Sequence, residues 1–572
     1  MKPISSNMFK LTAISAMILS TTSASAALYQ VIEVKPQTTF AFESVYGVAI
    51  QPGNVADDKP LGCFADDVTT DCKSSFKLAG ETRLVATHAG QAIDGLSYRE
   101  EAPFGIDNGF IYVQDDERDF ERYCRSELRY AICETWADIR WNIWKKEISG
   151  DQTPNAIAFV EEQVPDIGVP IDETKNVVVN SLTANAEPIG ITLTPGDVTG
   201  SRRNSVKAIG IVDITTEPES NWPQTRAWKT DGTYTVGSIA HEKTNNQGNF
   251  YTSKGAIWDS SGKMTEIPWP SENANHSNRL AQGSIRDFVI DKDNNKLYAV
   301  GYNTFYSDQN LMQASVSILK IEGDDTLSFT NTKPVAGATV RENGNSGDRI
   351  IYSHSLLTAV NEHGIAIGEA KLSRAESGAY ANRLFVVPDI NDPKANFLNG
   401  SLFFAGAGGK AGAINNFNEI VGQIDTEETR EVGGKPRRKR GFIYPYGTSV
   451  PERQAIFNNR AWLLDDLTNG GDFSGKNNQY RIIAANDIND AGVIAATALK
   501  CTGGYDSTAH NAQCGAGKGQ EKTVAVKLVP IAGKTHEDIS PRGMDDLVVE
   551  RNGAGLGLWS LILGGLLWFR RK

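Results

Sequence analysis

The stretch Ala413-Ile-Asn-Asn-Phe-Asn-Glu-Ile-Val-Gly422, with Arg440-Gly-Phe-Ile-Tyr444 after a polar loop, constrains this chain most. Two apolar runs flank a turn that Asn415 opens and in which Asn418 can take a left-handed conformation. That is a β-hairpin followed by a third strand. The cassette recurs. Thr358 to Gly368, with Asn361 and Gly364 in its turn, leads to Arg383-Leu-Phe-Val-Val387. Asn486 to Ala496, with Asn489 and Gly492, leads to Thr523-Val-Ala-Val-Lys527. Weaker echoes run from Val179 to Gly190, Arg226 to Gly232, Lys254 to Gly262, and Arg286 to Gly301 with Ala314 to Lys320. Ala227 and Ala256 are too close for separate four-stranded units and read as two hairpins of one.

One such repeat cannot bury its own faces, whereas small sheets closing radially can. The expected fold is all-β, a propeller-like assembly of about six to eight blades from Ala27 to Pro530, with a β-sandwich array as the alternative. Gly 54, Pro 22, Trp 10, Tyr 17 and Phe 22 fit many short strands joined by turns. Leu28 to Val34 alternates and is rich in β-branched residues, a first strand that could close a ring. One region has helical periodicity: from Glu117 to Ile148, Phe120, Leu128, Ile132, Trp136, Ile143 and Trp144 recur at three- and four-residue steps. It reads as an inserted helical hairpin or one long amphipathic helix kinked near Cys133, its aromatic face packed on neighbouring strands.

Both ends read as address labels. Lys2 and Lys10 precede the apolar run Leu11 to Leu19, and Ala24-Ser25-Ala26 offers a cleavage site, so residues 1–26 are expected to be a signal peptide. Residues 531–552 are polar and aperiodic, a linker. Gly553 to Phe569 is uncharged and ends in Arg570-Arg571-Lys572, near the short limit of the roughly 17–25 residues that span a bilayer. Export agrees with the six cysteines, which fall in close pairs: Cys63/Cys72, Cys124/Cys133 and Cys501/Cys514. Six cysteines allow 15 pairings, but proximity in an oxidising compartment favours the three local disulfides.

The tail resembles the GlyGly-CTERM sorting signal of Gram-negative bacteria, with Asn552-Gly553 where a Gly-Gly pair is usual. The cassettes are similar to the HAF repeats of extracellular bacterial proteins, and the whole layout resembles the Gram-negative family called domain of unknown function 3466. These resemblances imply the repeat fold and a cell-surface or secreted address; they imply no activity.

Candidate chemistry is sparse. The net charge of −12 disfavours a nucleic-acid partner. Asp57-Asp58 and Asp66-Asp67 lie around the first cysteine pair, in either a disulfide-tied acidic loop or a calcium loop, the only cofactor in view. The seven histidines are scattered, and His363 lies in a repeat turn. Ser353-His354-Ser355 has no nucleophile elbow around it. The pairs Asp115-Asp116, Asp324-Asp325 and Asp465-Asp466 read as solvated turns, and Lys435-Pro-Arg-Arg-Lys-Arg440 as an exposed hairpin tip or a contact for anionic polysaccharide. The expected function is a binding or interaction scaffold; the alternative is an extracellular glycan hydrolase or lyase with its site on one face. On cell fractionation, a chain truncated at Asn552 is expected to leave the membrane fraction that holds the full chain; identical distributions would show that the tail is no sorting device.

Overall fold

Seven antiparallel sheets follow one another along the chain, each beginning with an innermost strand. These strands are Ser44–Ile50, Asn176–Leu182, Gln224–Thr230, Ser284–Asp291, Ser355–Val360, Gly409–Ile414 and Tyr480–Ile488, and we number blades 1 to 7 by them. Each neighbours the next, and the seventh neighbours the first, so they close a ring. The protein is a seven-bladed β-propeller. The computed structural model describes residues 26–545 apart from 57–58, 86–97, 100–115, 126–132, 163–170, 200–201, 212–223, 246–247, 271–280, 306–311, 339–353, 372–375, 378–380, 429–436 and 448–449. The signal-peptide and sorting-tail expectations therefore lie outside the described residues, as do His88, His276, Ser353, Asp57, Asp58 and Lys435. No helix among the described residues is long and apolar enough to cross a membrane.

Among the described residues, blades 3 to 6 have four strands and blades 1 and 2 three. Blade 7 is completed from the other end of the chain: Tyr29–Glu33 pairs antiparallel with Glu521–Pro530 as the outermost strand. The first strand thus closes the ring, with Leu28 and Tyr29 fully buried.

The hairpin at Ala413 is as expected, Gly409–Ile414 pairing with Glu419–Asp425 across a turn in which Asn418 has φ 61°. Ala227 and Ala256 fall in one blade. The helical insertion lies between the second and third strands of blade 1, as helices Glu117–Tyr123 and Glu134–Ile148 joined by the Cys124–Cys133 disulfide. Phe120, Trp136 and Trp144 are buried in its small core, and Glu147 pairs with Arg203 of the short hairpin Val198–Thr199 with Arg202–Arg203, which is inserted between the second and third strands of blade 2. Cys63–Cys72 and Cys501–Cys514 are likewise disulfide-bonded, and there are no free cysteines among the described residues.

One local device repeats around the ring. Every inner strand carries a β-bulge, at Val48, Asn180, Trp228, Arg286, Thr358, Gly412-Ala413 and Asn486. Directly opposite the residue before the bulge stands Gly80, Gly190, Gly237, Gly301, Gly368 or Gly422 in blades 1 to 6, and Ala496 in blade 7. The bulge pushes a carbonyl across the ladder onto the second strand. A Cβ on Gly422 would sit 2.5 Å from the Lys410 carbonyl oxygen, and one on Gly80 2.5 Å from that of Tyr46. The glycines ending the cassettes of blades 5 and 6, Gly368 and Gly422, thus answer a close approach rather than a turn. Gly422→Ala is expected to lower stability by about 1–3 kcal/mol through overpacking, while Ala496→Gly costs no more than about 1 kcal/mol. Denaturant unfolding checks both, and an unchanged midpoint for Gly422→Ala would contradict the account.

Candidate functional site: the axis of the ring

In blades 5, 6 and 7 the residue that follows Gly368, Gly422 or Ala496 reaches toward the next inner strand. Glu369 accepts the Ala411 N–H at 2.8 Å, Gln423 donates to the Ile483 carbonyl at 2.9 Å, and Thr497 lies 3.4 Å from the Gly47 carbonyl. Glu81 does so through an intermediary: Arg99 binds Glu81 Oε2 at 2.7 Å and donates to Asn180 Oδ1 and the Val179 carbonyl of blade 2. Bulge residues join the same belt. Asn180 donates to the Ala227 carbonyl and Asn486 to that of Gly47, while the Arg286 guanidinium lies 3.5 Å from the centroid of the Trp228 ring. At this height charged groups from four blades feel one another. Burial alone would raise the Glu81 carboxyl, but Arg83 and Arg99, with a contribution from Lys410 of blade 6, hold it below the usual range. Burial lowers Arg286 to about 10, against the pull of Tyr302 and Glu369.

One step further along the inner strands, Lys229, Asp287 and Asp487 occupy the same register, each immediately after its bulge. Asp287 accepts the Phe288 N–H and, from blade 5, the Val360 N–H. Asp487 accepts the Ile488 N–H and, from blade 1, the Ile50 N–H. Burial holds both carboxyls above the ordinary range, with Lys229 opposing it. Burial would lower Lys229, but Asp487, Asp287 and Asp490 together keep it above its usual value. Blades 3 and 7 are not neighbours, so the mutual influence of Lys229 and Asp487 runs across the axis.

The turns at the far ends of the inner strands form a third joint. Asn415 Oδ1 accepts the Phe417 and Glu419 N–H groups of its own turn, while its Nδ2 donates to the Asn489 carbonyl of the next blade at 3.2 Å. Asn361 donates in the same way to the Asn415 carbonyl, and Asn489 to that of Gln51. Gly364 and Gly492 supply the left-handed residues of their turns, with φ 70° and 84°. An amide side chain suits this joint because its oxygen caps its own turn while its separate NH2 donates onward. Arg453, fully buried on the helix Pro451–Phe457, locks the last joints by bonding Glu419 and the Asp490 and Pro60 carbonyls. The six turn residues are therefore structural staples, and His363 is one too, its Nε2 lying 2.9 Å from the Asn416 carbonyl.

Several expected surface features turn inward. Arg437 and Arg440 of the basic run are buried; Arg437 donates to the Gly406 carbonyl and Arg440 pairs with Asp465 at 3.0 Å. Asp465 and Asp466 do not form a solvated turn: Asp465 accepts the Ile482 N–H, and Asp466 Oδ1 takes the Arg542 N–H and lies 3.0 Å from His510 Nε2. Arg542 shows that the described part of the expected linker packs on the body, as do the bonds Gly533 to Phe64 and Ala26 to Asp538. His354 is fully buried, and burial pulls it to about 3. Ser355 accepts the Ala314 N–H, and nothing described forms a catalytic triad there. Asp324 accepts from Thr326 in a turn. Asp67 pairs with Lys59, and no group of three or more His, Cys, Asp or Glu that could hold a metal exists among the described residues.

Fold and axis together define a seven-bladed propeller whose polar side chains converge on the ring centre. The chain belongs to the family described as "Protein of unknown function (DUF3466)", whose model matches residues 227–572. No curated protein matches it. Among solved structures it is similar to a luciferin-regenerating enzyme (13% identity, 46% of this chain and 68% of that one, TM-score 0.21). A levansucrase mutant of B. megaterium gives 10%, 55%, 83% and 0.27, and the β-propeller domain of the Trilobed protease from Pyrococcus furiosus 12%, 49%, 90% and 0.19. At such TM-scores no activity carries over.

The axial acids have a pH signature. A carboxyl whose folded value is raised disfavours the folded state as it ionises, so its contribution to stability falls as pH rises from the ordinary value, about 3.9, through the raised one. The variant Asp287→Asn with Asp487→Asn is expected to lose stability less steeply than the wild type above about pH 4. Parallel stability curves would contradict this.

Proposed function

We propose that this chain is an exported binding scaffold, sent out by residues 1–26, held at or released from the membrane by Gly553 to Phe569, and taking its ligand at the ring axis. The observation that carries this is convergence: Glu81, Arg99, Trp228, Arg286, Glu369 and Lys410 come from six positions along the chain to one end of the axis. Lys410 is the exposed member of this set and would be the group a partner meets first. The ligand class that fits the address is a surface polysaccharide or protein. Glycan cleavage calls for facing carboxyls of opposite protonation, whereas Asp287 and Asp487 are shifted the same way and each is tied to two backbone N–H groups. That favours binding over catalysis. Arrays of polysaccharides and cell-surface proteins are expected to show binding by the full chain that weakens with Lys410→Gln. A blank array, together with turnover of a glycan or peptide substrate, would overturn the binding reading.

A further inference from the structure

The asparagine turns gather the far ends of the inner strands on one face of the ring. The opposite face, where the inner strands begin, differs from it in two ways. First, the chain leaves the body there. Tyr480 pairs with Lys500, so the loop joining Ile494–Cys501 to Glu521–Pro530 lies on this face. Asn511 of that loop accepts the Asp545 N–H at 2.6 Å and donates to the Asp545 carbonyl at 2.7 Å, while Gly543 accepts the His510 N–H beside them. Only residues 546–552 separate Asp545 from Gly553, a reach of at most about 30 Å even when fully extended.

Second, the large hydrophobic side chains left exposed among the described residues, Phe40, Phe42, Ile148 and Met544, all lie on this face, Met544 the most open at 65%. Phe40 and Phe42 belong to the connection from Tyr29–Glu33 to Ser44–Ile50. Glu33 bonds Tyr480 and Lys500, which puts the start of that connection on this face, and Ser44 begins an inner strand. Ile148 ends the helical insertion, which joins Arg83, opposite Ser44, to Ala156, opposite Arg83. Met544 stands between the two residues that bond the blade 7 loop.

We propose that this face docks on a lipid bilayer, with Phe40, Phe42 and Met544 reaching the boundary between headgroups and acyl chains. The inference rests on the reading of Gly553 to Phe569 as a membrane anchor and adds an orientation to it. A span so closely tethered keeps this face near the bilayer, where exposed apolar side chains gain by entering the interface. Presenting the opposite face would use up the reach of residues 546–552 on crossing the disc, about 25–30 Å for inner strands of 7 to 9 residues. Lys410, the second residue of its inner strand, opens the axis on the docked face. The bilayer therefore covers that end until the tail is released.

The test is fluorescence quenching on the full chain in vesicles of phosphatidylethanolamine and phosphatidylglycerol, a fraction of whose headgroups carry a nitroxide. All six cysteines are paired, so one introduced cysteine is the sole reactive thiol. Thr39→Cys, beside Phe40, and Asp293→Cys, in a turn of the opposite face, each take an environment-sensitive fluorophore. The Thr39 label is expected to shift to the blue and to be quenched at least about twofold more than the Asp293 label. Adding Phe40→Ser, Phe42→Ser and Met544→Ser is expected to abolish that difference at an unchanged melting temperature. Lys410→Cys is expected to lose reactivity toward a bulky polyethylene-glycol maleimide on passing from detergent to vesicles, and unchanged reactivity would overturn the covering of the axis. Equal quenching, or quenching of the Asp293 label alone, would overturn the orientation. Quenching at Thr39 that the serine variant retains would overturn apolar docking and leave the tether alone. A blue shift without headgroup quenching would give the face to a second copy of the chain and overturn the lipid assignment. A full chain that does not enter the vesicles would overturn the inference together with the anchoring beneath it, while the arrays remain the separate test of ligand binding.

Discussion

The bulge in each inner strand is the constraint on which the rest of this molecule depends. An extra residue at the same height in all seven strands turns one side chain out of each ladder and drives one carbonyl toward the second strand. In six blades the answer to that carbonyl is glycine. The side chain that follows this position then stitches its blade to the next, as Glu369 and Gln423 do after a glycine and Thr497 after Ala496. A defect in the ladder thereby becomes a joint between sheets, and because the joints close on themselves each blade is held from both sides.

Closure is the step such a ring must solve separately, since its ends are far apart in sequence. Here the first strand completes the last blade, and three further contacts reinforce the seam. The loop before Cys63 lies on blade 7, with the Cys63 N–H bonding the Ala491 carbonyl. Lys527, buried beside Glu161, reaches the Lys73 and Phe76 carbonyls of that same connection. Finally, the segment after Pro530 runs back along the seam, where Arg542 bonds Asp465, Asp466 and the Thr508 carbonyl. The two ends of the body are therefore held together, Ala26 donating to Asp538.

Much of the fold was legible because hairpins are local. The asparagine turn and the strands around it, the first strand among them, follow from residues within a few positions of one another, and the placing of Ala227 and Ala256 in one blade follows from a spacing too short for two. Joints were not legible, since which blade faces which side chain depends on the angle between sheets. Thus Asn415 read correctly as a turn residue, but its onward bond to Asn489 could not be foreseen. The buried Arg437, Arg440, Asp465 and Asp466 were misread for the same reason: charges usually stay in water unless paired, and the partners are distant in sequence. The axial set had a faint signal, a polar residue after the glycine in Glu81, Glu369 and Gln423 and after Ala496 in Thr497. Nothing in the sequence said that these residues, or the bulge residues beside them, meet at one axis.

The central claim is that the seven inner strands form one closed, mutually stapled ring to which Tyr29–Glu33 belongs in full. Native-state amide hydrogen exchange on the full chain addresses it most directly. The account predicts that amides of Tyr29–Glu33, of Ser44–Ile50 and of Tyr480–Ile488 exchange only through a common global opening, with the same dependence on denaturant. If Tyr29–Glu33 exchanges through local fraying while the inner strands stay protected, the first strand is an accessory edge and the claim of a closed ring is contradicted.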